Sequence, residues 1–264
     1  MHKILDKKTK TLNVINNNVN KLPFVISIPH SGLYLTSEMN NKLKKDAILA
    51  NMDWYLPELY SFLEELGFTV VINNISRYVI DPNRDINSIN SENYTKSLIY
   101  KKTTFGKEMY NDILLQEETD SRINNFYKKY HETLERIISE KLTHFNKIYL
   151  IDLHSFGKQI KKDVVLGNDN GRTMNEQLFQ HIQKLFIANG FDVAINNPFS
   201  GGYITKHYGD KNQRCESLQI ELSYYSYIDK RTFYEEELPS INTDIMKNCR
   251  ERLKKIFSEI SKIN

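Results

Sequence analysis

Apolar runs as long as β-strands alternate with segments of helical periodicity along this chain, and two of the runs lead into a histidine. The run Pro23–Ile28 leads into PHSG, which carries His30, and the run Lys147–Leu153 leads directly into His154 in IDLHSFG. Alternating strands and helices predict an α/β fold with a mixed or mostly parallel sheet and helices on both faces. Such sheets bind ligands beyond the carboxyl ends of their strands. The pattern therefore places both histidines at the edge where a functional site is expected.

The composition predicts one globular domain over residues 1–264, with residues 1–21 loosely held. The chain has 264 residues, 40% of them hydrophobic, which is enough for a substantial core. The net charge is +3 and the basic residues are scattered, so the sequence shows no basic patch of the kind that binds nucleic acid. No apolar stretch reaches the roughly 18 residues that span a bilayer. We therefore expect neither nucleic acid nor membrane as a partner.

The targeting signals and the cysteines together predict a cytoplasmic location. The N-terminus lacks the apolar segment and small-residue cleavage site of a secretion signal. The only cysteines, Cys215 and Cys249, are isolated from each other in the sequence. Two isolated cysteines in a chain of this size are typical of free thiols in a reducing compartment.

Periodicity and turn residues predict the remaining elements. Apolar residues at helical spacing predict one helix over Asp53–Leu66, capped by Asp53 and ended by Gly67. Paired glycines predict a loop over Ser200–Asp210. His131 is expected on the surface of a long helix, although it could approach the site. The other predicted elements are strands over Thr69–Ile72, Val164–Leu166, Phe191–Ile195 and Ser217–Leu222, and helices over Glu117–Phe145, Thr173–Asn189 and Pro239–Ile263.

Two histidines at strand ends and one acidic side chain would supply the ligands of a catalytic zinc site, with one position open. The third ligand is predicted to be Asp53, with Glu58 as the alternative. Asp152 shares a strand face with His154 and is well placed to orient another ligand imidazole. The competing interpretations are a loop histidine bonded to backbone at His30, a metal-free Asp–His hydrogen bond, and a purely capping role for Asp53.

The segment SRYVIDPNRD carries a candidate substrate clamp. It contains Arg77, Asn83 and Arg84, with an Asp-Pro-Asn turn between the two arginines. One guanidinium can pair with a substrate carboxylate through two hydrogen bonds, and the other can face the oxygen that becomes negative during the reaction. The alternative is a surface turn in which the arginines pair with Asp81 and Asp85.

Glu221 is the candidate general base, because it stands in LQIEL, an otherwise apolar strand. An edge strand with its polar face in solvent is the alternative. In FSGGYITKHYG, Lys206 and His207 could contact an anionic substrate, or the segment could be a flexible connection without a role. The chain lacks the G-x-S-x-G, H-E-x-x-H, paired C-x-x-C, P-loop and G-x-G-x-x-G motifs, which argues against a serine hydrolase or a dinucleotide-binding enzyme.

An ordered set of segments resembles the N-formylglutamate amidohydrolase family. The set is PHSG, DWYLPELY, SRYVIDPNRD, TTFGKEMY, YKKYH, IDLHSFG, GGYITKHYG and LQIEL, and it runs from about Pro23 to Asp229. The family is similar to the zinc carboxypeptidases and to the aspartoacylase/succinylglutamate desuccinylase group. The resemblance implies a phosphorylase/hydrolase-like three-layer α/β sandwich.

The resemblance also implies an activity and a cofactor. The chain would use zinc or another divalent metal to cleave the amide of an N-acyl amino acid. The expected partner is a small acidic molecule, N-formyl-L-glutamate, which would yield formate and L-glutamate in histidine degradation. The same site acting on a peptide or cell-wall amide is an alternative, because Asp85–Tyr100 is rich in Asn and Ser where the family often has a Gly/Pro-rich segment. A non-catalytic binding protein on the same fold is another.

Specific roles follow from the resemblance, residue by residue. His30, His154 and an acidic residue placed at Asp53 would be the metal ligands. The other implied roles are carboxylate binding by Asn83 and Arg84, carbonyl polarisation by Arg77, and general-base catalysis by Glu221. Lys206 departs from the family, which usually has arginine before the histidine of this segment.

Overall fold

A computed structural model of the protein describes residues 2–17, 21–89, 96–157 and 160–263. The strands in these ranges are β1 (Lys3–Ile4), β2 (Leu12–Ile15), β3 (Phe24–Ile28), β4 (Tyr34–Leu35), β5 (Thr69–Asn73), β6 (Ile148–Phe156), β7 (Val164–Gly167), β8 (Val193–Ile195) and β9 (Cys215–Ser223). The helices are α1 (Ser37–Lys42), α2 (Leu56–Leu59), α3 (Phe62–Leu66), α4 (Gln116–Arg122), α5 (Lys128–Leu142), α6 (Glu176–Ala188), α7 (Tyr203–Tyr208), α8 (Tyr224–Tyr227) and α9 (Thr243–Ile260). A π-helical turn at Ile123–Tyr127 joins α4 to α5, and Ile86–Ser88 forms a 3₁₀ turn.

A seven-stranded mixed sheet with the order β2-β5-β3-β6-β9-β7-β8 forms the centre of the structure. The central neighbours β5, β3, β6 and β9 run parallel, whereas β2 is antiparallel to β5 and β7 is antiparallel to β9. Every residue of β3, β5 and β6 is buried, as expected for strands covered on both faces. The predicted mixed α/β sheet is confirmed.

Helices cover both faces of this sheet and build two hydrophobic clusters. On one face, Val25, Val71 and Leu150 pack with side chains of α5. On the opposite face, alternate residues of the same strands pack with α3, α6 and α9. This alternation follows the period of two along each strand, so successive residues enter opposite clusters. The strands are thereby fixed in register, and their carboxyl ends share one edge.

Three segments differ from the sequence prediction. Leu12–Ile15, within the segment expected to be loosely held, pairs with β5 as an edge strand. The helix predicted over Asp53–Leu66 is two short helices, α2 and α3, and it begins after Tyr55, which has a left-handed φ of 61°. Residues 203–208 of the predicted Ser200–Asp210 loop are helical. Their helix starts after Gly202, because the residues that follow the paired glycines have no helix breaker until Gly209.

The other predictions concern membrane crossing, the cysteines and the extent of the domain. Within the described ranges, no helix combines the length and the apolar character that a membrane crossing requires. Both cysteines are free. The extent of the domain over residues 1–264 stays a prediction. Part of the Asp85–Tyr100 segment, residues 90–95, lies outside the described residues.

Helix α5 and the turn before it support the segment 82–84 from behind. His131 is buried, not exposed as the sequence predicts: its Nδ1 lies 2.8 Å from the hydroxyl of Tyr208 and its Nε2 lies 3.0 Å from the carbonyl oxygen of Pro82. The hydroxyl of Tyr127 donates to the carbonyl of Arg84 at 2.9 Å. Burial lowers the pKa of His131 to about 4, so this imidazole is neutral at pH 7.

His131 should make folding stability depend on pH in one window. The unfolded histidine has a pKa near 6.5 and the folded one near 4, so unfolding takes up a proton between these values. Stability should therefore fall as pH falls below about 6.5, by about 2 kcal/mol at pH 5 from this residue. Chemical unfolding of the wild type and of His131→Gln at pH 7, 6 and 5 measures this loss of stability. Gln keeps an amide donor for Pro82 but does not titrate, so parallel pH profiles of the two proteins would contradict the prediction.

Candidate metal centre and active-site cavity

The carboxyl edge of the central sheet brings the predicted site residues together. His30 lies two residues after the end of β3, and His154 lies two residues before the end of β6. In the parallel register between β6 and β9, His154 is opposite Glu221 and Asp152 is opposite Gln219. These four side chains of two neighbouring strands therefore point to the same face, as the alternation of LQIEL predicts.

His30, Asp53 and His154 form a buried group whose ligand atoms all lie within 4.8 Å of one another. Oδ2 of Asp53 is 3.0 Å from Nδ1 of His154 and 3.6 Å from Nδ1 of His30. The two imidazole rings have their centroids 4.7 Å apart. The two histidines that lie far apart in the sequence thus meet around one carboxylate.

Two further carboxylates hold the opposite nitrogens of these rings. Nε2 of His30 is 2.7 Å from Oδ1 of Asp81, and Nε2 of His154 is 2.8 Å from Oδ2 of Asp152. A carboxylate accepts, so each Nε2–H donates outward and each Nδ1 faces Asp53. The prediction that Asp152 orients another ligand imidazole is wrong, because its own strand neighbour lies within reach and Asp81 is the carboxylate at His30. Ser27 also donates to Asp152, at 2.7 Å.

This group has the donor set and the spacing of a site for a divalent cation. An ion about 2.0–2.2 Å from each nitrogen or oxygen would place tetrahedral ligand atoms about 3.3 Å apart, between the two distances measured from Asp53. Burial by itself would raise the pKa of Asp53, but hydrogen bonds from His154 and His30 hold it below its usual value. Burial would lower the pKa of His154, but Asp152 and Asp53 raise it well above the usual range. The cluster therefore attracts positive charge, whether as a proton or as a metal.

Asp53 does not cap a helix, which frees its carboxylate for the two histidines. The following helix begins only at Leu56. The backbone N–H of Asp53 donates to the carbonyl of His30 at 3.2 Å, and the hydroxyl of Ser31 donates to the carbonyl of Asp53 at 2.7 Å. The alternative ligand, Glu58, lines a separate depression and is not part of the buried group.

The sharp turn that follows His30 depends on Gly32. A Cβ at this position would lie 2.3 Å from the carbonyl carbon of Asn74, closer than real Cβ contacts come. Only glycine allows this close passage of two backbones. The PHSG segment thus turns away at once from the strand direction and leaves the imidazole at the edge of the sheet.

Both predicted arginines gather around Asp81. Nη2 of Arg77 donates to Oδ2 of Asp81 at 2.8 Å and to the hydroxyl of Tyr100 at 2.9 Å, and Nη2 of Arg84 is 3.7 Å from the same Oδ2. The Tyr100 hydroxyl also donates to Asp81. Burial would raise the pKa of Asp81, but Arg84, His30 and Arg77 hold it well below its usual value. One buried carboxylate therefore joins a histidine of the buried group to both arginines.

Asn83 connects this arginine segment to the glycine loop, residues 200–202, and to the start of α7. Its Oδ1 accepts from the backbone N–H of Ile204 at 2.8 Å, and its Nδ2 lies 3.1 Å from Nε2 of His154. Gly202 is so close that an added Cβ would lie 2.2 Å from the same Nδ2. The Asn83 amide is therefore already engaged with neighbouring elements of the protein.

Gln219 sets the direction of Glu221. Its Oε1 accepts from the backbone N–H of Gly202 at 2.6 Å, and that contact turns its Nε2 toward Oε1 of Glu221, at 3.0 Å. Burial raises the pKa of Glu221 to about 8, with the positive charge of His154 acting in the opposite direction. The carboxyl group of Glu221 is thus fixed beside the buried group rather than exposed on an edge strand.

A cavity of about 740 Å³ opens onto this arrangement. Its polar lining consists of His30, Asn51, Asp53, Arg77, Asn83, Arg84, Thr104, His154, Ser155, Ser200, Gln219 and Glu221. Lys206 and His207 do not line it. Lys206 lies 3.4 Å from Asp169 on the exposed side of α7, and His207 stacks on Tyr203 with centroids 4.9 Å apart. The structure thus separates these two from the other predicted site residues.

Sequence reasoning missed Asp81, Tyr100 and Gln219 as parts of the site. Asp81 is predicted from the sequence only as a surface partner of the arginines, although its position inside IDPNR, directly after an apolar pair, is a signal of burial. Gln219 carries a signal too, because it alternates with Glu221 in an otherwise apolar strand. Tyr100 gives no such signal, since its segment lacks periodicity.

Comparisons with known proteins agree with one another. The family model described as N-formylglutamate amidohydrolase matches residues 22–228. N-formylglutamate deformylase of Pseudomonas putida is 30% identical over 254 residues, 91% of this chain and 95% of the relative. The same-named protein of Pseudomonas aeruginosa is 28% identical over 247 residues, 88% of this chain and 93% of the relative. A crystal structure of N-formylglutamate amidohydrolase from Ralstonia eutropha JMP134 shares the fold, with a TM-score of 0.78, 22% identity and coverage of 95% and 98% of the two chains. The chain belongs to the N-formylglutamate amidohydrolase family.

Proposed function

We propose that this protein is a metal-dependent amidohydrolase that cleaves N-formyl-L-glutamate to formate and L-glutamate. The observation that carries the proposal is the buried group of His30, Asp53 and His154 beside the fixed carboxyl of Glu221. Two full-length relatives named N-formylglutamate deformylase support the choice of substrate. The product and the family also favour a role in histidine degradation, and the two free cysteines favour a cytoplasmic location.

His30, Asp53 and His154 would hold the divalent ion, for which zinc is our choice because of the two imidazole ligands and one carboxylate. When bound, such an ion supplies Lewis-acid chemistry, which polarises a carbonyl oxygen and lowers the pKa of a water molecule. Asp81 and Asp152 would keep both Nδ1 lone pairs directed at the ion.

Glu221 would move the proton. As the water oxygen attacks the formyl carbon, Glu221 accepts a proton from the water, and it then gives a proton to the amide nitrogen as the C–N bond breaks. Gln219 keeps this carboxyl directed into the cavity through its hydrogen bond at 3.0 Å. The pair of strands that carries Glu221 and His154 sets the distance between base and ligand group.

The two arginines would take separate parts of the substrate. Arg77 would face the carbonyl oxygen as it becomes negative, and Asp81 and Tyr100 fix its guanidinium. Arg84 would bind a substrate carboxylate. Because Asn83 already bonds to Ile204 and approaches His154, we assign it to holding Arg84 and the glycine loop in place. Lys206 and His207, outside the cavity, have no part in this proposal.

Replacing Glu221 should separate metal binding from turnover. Glu221→Gln should keep the metal content of the wild type but lose at least about 100-fold in kcat for formate release, because only proton transfer is removed. His154→Ala, as the matched variant, should lose the metal as well as the activity. Elemental analysis after zinc loading and a formate assay measure both. Near-normal turnover in Glu221→Gln would contradict the assignment of the base.

Replacing Arg84 should selectively weaken the binding of acidic substrates. Arg84→Met keeps much of the side-chain length but removes the charge, so KM for N-formyl-L-glutamate should rise roughly 10- to 100-fold. The uncharged diamide of N-formylglutamate should be affected far less. Lys211→Met removes an exposed cation outside the cavity and serves as the control. An equal loss on both substrates would show that Arg84 does not bind a carboxylate.

A further inference from the structure

The cavity is larger than N-formylglutamate requires. Its volume is about 740 Å³. A molecule of about twelve non-hydrogen atoms, such as N-formylglutamate, needs only part of that space, since cavities of roughly 300–1,000 Å³ hold drug-sized ligands. The question is therefore which chemical group fits the remaining part.

Five aromatic side chains form one part of the cavity lining, which we call the aromatic wall: Phe105, Phe156, Phe199, Tyr224 and Phe233. Phe156 and Phe199 have ring centroids 5.4 Å apart, and Tyr224 and Phe233 have centroids 5.1 Å apart at an interplanar angle of 74°. These distances are those of contacting aromatic pairs. The wall is therefore built from two packed pairs, with Phe105 as a further member.

Gly157 brings the two pairs of the aromatic wall together. It directly follows Phe156, and an added Cβ would lie only 2.6 Å from a ring carbon of Tyr224. The hydroxyl of Tyr224 donates to the carbonyl of Met52 at 2.7 Å, away from solvent. Tyr224 therefore offers the cavity its ring rather than its polar atom. Phe105 also lines the cavity and is 47% exposed.

The cations of the described cavity lining are grouped at one carboxylate. The described lining contains two fixed cations, Arg77 and Arg84, and both approach the same carboxylate, Asp81. A substrate carboxylate would be bound there, and the reacting carbonyl would lie at the buried group. A formyl carbon carries only a hydrogen on its other side, so it leaves the aromatic wall without a partner.

We propose that the aromatic wall is a subsite for an apolar, ring-bearing acyl group, so that the protein also cleaves N-aroyl-glutamates such as N-benzoyl-L-glutamate. This inference rests on the proposed function, because it uses the same reacting centre. Water adds to the acyl carbon, the C–N bond breaks, and the products are benzoate and L-glutamate. The glutamate nitrogen receives the proton that the water gave up, so no further reactant is needed.

Three substrates, two phenylalanine variants and one control variant test the subsite. N-benzoyl-L-glutamate should be hydrolysed with a KM about ten-fold below that of N-formyl-L-glutamate, because the added ring is buried against aromatic side chains. Phe199→Ala and Phe233→Ala should each lower the ratio of kcat/KM for benzoyl over formyl substrate about ten-fold. Tyr234→Ala removes an adjacent aromatic side chain that is 69% exposed and outside the cavity lining, so it should leave the ratio unchanged.

Several outcomes would overturn the subsite. One is hydrolysis of N-formyl-L-glutamate without hydrolysis of the benzoyl substrate, and another is an unchanged ratio in both phenylalanine variants. Faster hydrolysis of N-formyl-L-phenylalanine than of N-benzoyl-L-glutamate would place the ring on the amino-acid side and contradict the acyl assignment. Circular dichroism identifies a variant that fails to fold, and Phe199→Leu then replaces Phe199→Ala.

The proposed function and the subsite can fail separately. Cleavage of the benzoyl substrate alone would support the subsite and overturn the formyl specificity. If neither substrate is cleaved, the proposed function has failed, and calorimetry on the zinc-loaded protein decides the subsite. Tighter binding of N-benzoyl-L-glutamate than of N-formyl-L-glutamate, lost in Phe199→Ala, would support it. Equal binding of the two ligands would overturn it.

Discussion

The site depends on two buried carboxylates, each of which binds Nε2 of one histidine. Asp81 at His30 and Asp152 at His154 accept from Nε2–H of each ring, and so direct both Nδ1 atoms at Asp53. Charged groups are costly to bury unless they are paired and hydrogen-bonded. Here each carboxylate has several partners, so the cost is offset and the histidines are held in one orientation.

Asp81 extends this arrangement beyond the buried group. Besides His30 it accepts from Arg77 and Tyr100 and lies near Arg84, so the two arginines share a support with His30. Changing one of these groups is therefore expected to affect the others, since they form one hydrogen-bonded network. Gly202 and α7 make a similar connection on the other side, where the backbone N–H groups of Gly202 and Ile204 donate to Gln219 and Asn83.

The parallel sheet explains how these distant segments meet. Adjacent strands end at one edge, and the period of two along β6 and β9 places Asp152, His154, Gln219 and Glu221 on one face. The aromatic wall is a product of the same edge, since Phe156 ends β6 and Tyr224 directly follows β9. Polar side chains and apolar rings therefore line one cavity.

The sequence by itself determined where strands end and which residues alternate, so His30, His154 and Glu221 could be assigned to one edge from local patterns. The tertiary structure alone decided the partners: Asp81 for His30, Asp152 for His154, and a position outside the cavity for Lys206 and His207. Periodicity fixes only the face on which a side chain lies. Contacts between distant residues depend on the path of the whole chain. His30 and Asp81 are 51 residues apart in the sequence, and Asn83 and Ile204 are 121 residues apart.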